Sequence, residues 1–142
     1  MVLTDKGVTL TCSSELVLVD FFSHVLTDLL AYMRLGDGGA TPIVARELMR
    51  NAVIHGNAGD KRRSVVFSLD WSNGACFAIT VCDEGGGFDY GMLEAAEELD
   101  ARHAQRKGYA LIYECAQSVD FERNGATVRV SLARVPDCRG EG

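Results

Sequence analysis

The chain has 142 residues, which predicts a single domain over 1–142. Hydrophobic residues make up 47% and charged residues 24%, close to the globular average, which excludes disorder and collagen-like repeats. Fourteen basic against 20 acidic residues give a net charge of −6, which argues against a nucleic-acid binder and its basic patch. The first residues, MVLTDKGVTLTC, lack a basic region followed by an apolar run, so no signal peptide is expected. The stretch from Leu16 to Leu35 is broken by Asp20, His24, Asp28 and Arg34, whereas a membrane span needs about 20 mostly apolar residues. Five cysteines with no CxxC pair point to reduced thiols and a cytoplasmic protein. Cys76 and Cys82 read as small core residues of strands.

Residues 7–12 alternate and are β-branched, which predicts a first strand. Ser13 and Ser14 then offer an N-cap to an apolar helix over 15–33. Residues 36–39, GDGG, form a loop. Thr41 and Pro42 read as a cap and a first helical proline, opening a helix that runs to about His55 and stops at Gly56. Ser64–Trp71 and Ala75–Cys82 read as strands joined by Ser-Asn-Gly, a hairpin signal. A glycine-rich loop at 83–87 leads into an acidic, helix-prone stretch over 90–105. Residues 108–118 predict a short helix. Val119–Arg123 and Ala126–Ala133 flank Asn124-Gly125, a strong hairpin turn. The tail from Pro136 is polar. This order predicts an α+β fold, a two-layer sandwich with helices on one face of a mixed sheet.

Three constellations carry chemistry. On the second helix Glu47, Asn51 and His55 fall one turn apart, with Asn51 and His55 inside the apolar arc of Val44, Leu48 and Ala52 and with Arg46 and Arg50 on the solvated side. A buried amide is costly without a partner, and carboxylate and amide oxygens suit hard Mg²⁺. Next, Asp83-Glu-Gly85-Gly-Gly87 follows directly on an apolar strand. Its glycines permit close backbone approach to a ligand, and a carboxylate there can accept a hydrogen bond from an amino group such as adenine's. Finally, Arg106, Lys107 and Gly108 are expected at a helix start, where backbone N–H groups bind anions.

The succession of helical Glu-x-x-x-Asn, strand-Asp-x-Gly-x-Gly, an intervening lid and a glycine at a helix start resembles the GHKL ATPase superfamily. The segment 47–57, ELMRNAVIHGN, is especially similar to the anti-sigma-factor serine kinases. The resemblance spans roughly residues 7–133 and implies the Bergerat, histidine-kinase-like ATPase fold. It implies Mg·ATP as cofactor, a sigma factor and a serine-containing anti-anti-sigma protein of the STAS type as partners, and a homodimer; it implies neither membrane nor nucleic acid. By position, Glu47 matches the general base, Asn51 the Mg²⁺ ligand and Asp83 the adenine-binding Asp, with Gly85 and Gly87 shaping that pocket. Residues 89–107 match the ATP lid, while Arg106, Lys107 and Gly108 match the phosphate-contacting second glycine box. His55 closes the first motif. Three departures stand out. The second box reads Gly108-Tyr109-Ala110 rather than Gly-x-Gly. The last strand opens on Gly125-Ala126, with the expected Thr one place later at Thr127. The first helix has no Arg over 15–22. A histidine-kinase catalytic domain is the weaker match, because His24 has no Glu/Asp-x-x-x-Pro pattern after it.

Overall fold

A computed structural model describes residues 1–35, 40–86 and 101–134, with backbone alone for 101–106. The chain order is β1 (Val2–Leu3), β2 (Gly7–Ser13), α1 (Leu16–Tyr32), α2 (Thr41–Asn51), β3 (Ser64–Asp70), β4 (Cys76–Asp83), α3 (Ala101–Cys115), β5 (Ser118–Glu122) and β6 (Thr127–Ala133). A π-helical turn over Ala52–Gly56 extends α2, and a 3₁₀ turn over Arg123–Gly125 joins β5 to β6.

Six strands form one sheet in the order β1-β2-β3-β4-β6-β5. Every pairing is antiparallel, where a mixed sheet was expected. The physical reason lies in the hairpins. Strand β5 runs parallel to β4, but the β5–β6 hairpin inserts β6 between them, so no parallel neighbours meet.

Side-chain alternation sorts the sheet into two faces. Cross-strand partners Leu10↔Phe67↔Val81↔Val128 and Val8↔Leu69↔Ile79↔Val130 share one face and form the core with α1 and α2. Helix α1 adds Val19, Phe22, Leu26 and Leu30 at spacings of three and four. The opposite face carries Thr9, Ser68, Thr80, Arg129 and Ser131, short or charged groups that tolerate water. Cys76 and Cys82 also fall on that outer face, half-exposed rather than in the core, because they alternate with buried Phe77, Ile79 and Val81.

The predicted caps are not the ones used. Glu15 occupies the N-cap of α1 without a side-chain cap bond, while the Ser13 hydroxyl donates to the Glu15 carboxylate and Ser14 is buried. Ala40 is the N-cap of α2, so Thr41 and Pro42 both lie inside its first turn. Helix α3 starts seven residues before the predicted 108. Its opening ARHAQRK is made of good helix formers, which carry the helix through Lys107. The expected lid over 89–107 therefore divides: 101–107 belong to α3, and 87–100 lie outside the described residues, as does the tail from 135. No helix among the described residues is long and apolar enough to cross a membrane.

Candidate functional site

Helix α2 carries the site because its inner face is committed to the core. Val44, Ala45, Leu48, Met49 and Ala52 are buried, which leaves Glu47, Arg50 and Asn51 turned along the groove towards α3. That groove is a cleft of about 480 Å³ lined by Arg46, Glu47, Arg50, Asn51 and His55 with Lys107 and Gly108 opposite. Arg46 and Arg50 thus border the cleft, where the helical wheel put them on the far side. They reach it because the cleft is open along α2 and their side chains are long. Arg46 is tied to Asp20 of α1 at 3.2 Å. Among the described residues three cations and one carboxylate, Glu47, therefore line this cleft, in a protein whose net charge is −6. That local excess favours an anion.

At Gly108, α3 comes close to α2. A Cβ there would stand 2.8 Å from Glu47 Oε2 and 3.6 Å from Asn51 Nδ2. Yet Gly108 is the eighth residue of α3, beyond the four N–H groups that a helix leaves unbonded. The expected anion site at a helix start on Gly108 is not formed in this structure.

Asn51 is buried, and its amide nitrogen meets no hydrogen-bond partner although the Tyr109 phenol lies beside it. The unbonded atom is a donor, which fits an acceptor on a ligand, while a cation would take the amide oxygen. Among the described residues no group of three or more His, Cys, Asp and Glu gathers to hold a metal. A cation at Asn51 would take its other ligands from phosphate and water, as Mg²⁺ commonly does.

Asp83 ends β4 on the core face, directly across from Val65, and is 7% exposed. Burial pushes its carboxyl above the usual carboxylate range, opposed by the Gly85 N–H and by the charges of Arg123 and Arg63. Gly85 N–H donates to Asp83 Oδ1 at 2.8 Å. The π turn delivers Gly56 onto the same carboxylate: a Cβ at Gly56 would lie 2.0 Å from Asp83 Oδ2, and one at Gly85 1.9 Å from the Gly56 carbonyl oxygen. Asp83, Gly56, Tyr109 and Gly125 line a second, narrow pocket that shares Asn51 with the cleft. Burial also pushes the Tyr109 phenol well above its ordinary value and the His55 imidazole below its own.

The structure thus brings Glu47, Asn51, His55, Lys107 and Gly108 around one cleft and sets Asp83 and Gly85 beside it through Asn51. Two expected site residues, Thr127 and Ala110, do not join them. Thr127 turns to the outer sheet face, where its hydroxyl donates to Cys82 Sγ at 3.5 Å; strand alternation gives the inner position to Val128. Ala110 is exposed on α3 and has an ordinary helical backbone, so no left-handed conformation calls for a glycine there. Gly87 and the side chain of Arg106 lie outside the described residues. Sequence reasoning missed Gly56, which it read only as a helix stop, and Asn57. The Asn57 side chain is fully buried, accepts Glu84 N–H at 2.9 Å and donates to the Ser64 carbonyl at 2.9 Å, so it ties the Asp83 loop to the end of the π turn. Its place inside the 47–57 segment was the available signal.

An antiparallel α+β sandwich thus carries the cleft along its second helix. The family model described as Histidine kinase-like ATPase domain matches residues 14–132, and the chain belongs to that family. No curated protein matches the chain.

Proposed function

We propose that this protein is a serine-protein kinase and anti-sigma factor: it binds Mg·ATP, holds a sigma factor and phosphorylates an anti-anti-sigma protein of the STAS type on serine. The ATPase family supports the nucleotide, and the 47–57 segment supports the kinase branch. The observation that carries the reading is the cleft itself, in which Glu47 and Asn51 stand one turn apart beneath Lys107 and Arg50. Asp83 would receive the adenine amino group, with Gly56 and Gly85 allowing the backbone to close on it. Asn51 would hold the Mg²⁺, which supplies charge neutralisation to the phosphates. Glu47 would accept the proton of the attacking serine hydroxyl, and Lys107 would face the triphosphate. The protein is read as cytoplasmic and as a homodimer, with no membrane or nucleic-acid partner. Transfer of radiolabelled phosphate from ATP to the cognate antagonist tests the proposal.

A second reading is an ATP-binding partner switch without efficient transfer. It is favoured by one observation: α3 runs unbroken through Lys107 and Gly108, so no free helix N-terminus meets the phosphates there. Retained ATP and partner binding with no labelled product would select it.

A further inference from the structure

Arg50 precedes Asn51 on α2 and lines the same cleft, half-buried. The other half-buried arginines are partnered: Arg63 reaches Asp60 at 3.9 Å, and Arg134 donates to the Trp71 and Asn73 carbonyls. Among the described residues Arg50 has neither ion pair nor hydrogen bond. Its natural partner on the helix is Glu47, three residues earlier. That carboxylate is turned instead against Gly108. A partly desolvated guanidinium without an anion is unfavourable, and here it faces a cleft shared with Lys107 and His55.

The two pockets give the cleft a direction. Asp83 lies only in the narrow pocket, Asn51 in both, and Arg50 with Glu47 only in the wider cleft. A nucleotide whose base lies at Asp83 and whose metal-bridged phosphates lie at Asn51 therefore ends beside Arg50. We propose that Arg50 binds the terminal phosphate of the nucleotide and makes the site prefer a triphosphate over a diphosphate. This rests on the nucleotide reading above. The guanidinium suits the task, because its planar fork pairs two phosphate oxygens at once.

The test is calorimetry with ATP, ADP and AMP in the presence of Mg²⁺, on the wild type, Arg50→Ala and Arg50→Lys, with thermal melts to verify folding. Arg50→Ala is expected to weaken ATP by about tenfold or more, ADP by less than about threefold and AMP not at all, the loss of one charge-assisted contact. Arg50→Lys should recover part of the ATP affinity, since it restores charge without the fork. Equal weakening of ATP and ADP, or unchanged ATP affinity, overturns the assignment while leaving the nucleotide site standing. A wild type that binds none of the three overturns both readings.

Discussion

Asp83 puts a carboxylate where the register calls for an aliphatic side chain, in line with Val81 along β4 and opposite Val65. Burial raises its carboxyl above the ordinary value of 3.8, so the native state holds the proton more tightly than the unfolded chain does. The stability linked to that proton is fully present below 3.8 and is lost as pH rises through the higher folded value. Asp83→Asn should therefore raise the melting temperature of the nucleotide-free protein at pH 7 and flatten its pH dependence on the alkaline side of 3.8. The same change should weaken ATP binding by about 1–3 kcal/mol, the cost of mispairing a buried polar group. A variant that melts lower than wild type at pH 7 would show that the ionised carboxylate is held by its Gly85 bond more strongly than burial opposes it. Glu47 and Asn51 separate by a different readout. Glu47→Ala should lose about 10²–10⁴-fold in phosphate transfer while keeping nucleotide affinity within a few-fold, because a general base acts on the transition state. Asn51→Ala should lose both. Transfer at the wild-type rate by the Glu47 variant would remove the kinase role from that residue.

The π-helical turn over Ala52–Gly56 sets the geometry at the level of elements, since it lowers Gly56 onto the Asp83 carboxylate. Gly56→Ala forces a Cβ to 2.0 Å from Asp83 Oδ2 and should destabilise the fold by about 1–3 kcal/mol, with ATP binding impaired beyond that loss. Gly86→Ala meets nothing within 4 Å and serves as the control in the same denaturation series. Ala110→Gly, on the exposed side of α3, should cost about 0.5–1 kcal/mol of stability and leave nucleotide affinity unchanged. The elements that were legible in the sequence had strong local signals. Alternation located β2, the Ser-Asn-Gly and Asn-Gly turn signals located β3, β4 and β6 to within a residue or two, and a long apolar run with sparse polar positions located α1. Three features were not legible. The π turn leaves no periodic mark in five residues, the start of α3 was hidden because Lys107-Gly108 looked like a boundary, and the all-antiparallel sheet depends on which side of β5 its hairpin partner falls.

Across the whole molecule the candidate site draws on α2, α3, β4 and the turn before β6, and the helices and sheet share one hydrophobic core. Asn51 could be picked out in advance because it interrupts an apolar arc, Glu47 because it stands one turn before Asn51, and Asp83 because it follows directly on an apolar strand. Arg50 and Gly56 could not, because their significance is a tertiary contact or the lack of one, and for Asn57 the 47–57 segment gave a place but not its buried hydrogen bonds. Binding at a site so embedded should stabilise the domain as a unit rather than one segment of it. For a ligand at 100 times its Kd the linkage is about 2.7 kcal/mol. With a melting shift of about 2–4 °C per kcal/mol for a domain near this size, saturating Mg·ATP should raise Tm by about 5–10 °C. GTP should produce a much smaller shift. Its base presents a carbonyl where adenine has an amino group, so the buried Asp83 carboxylate would face a second acceptor. Chelating Mg²⁺ should reduce the ATP shift, because the triphosphate charge then falls on Lys107 and Arg50 alone. Differential scanning fluorimetry with both nucleotides, with and without chelator, reads all of these outcomes in one experiment. Equal shifts from ATP and GTP would remove the adenine role from Asp83, and an ATP shift indifferent to chelation would remove the metal from Asn51.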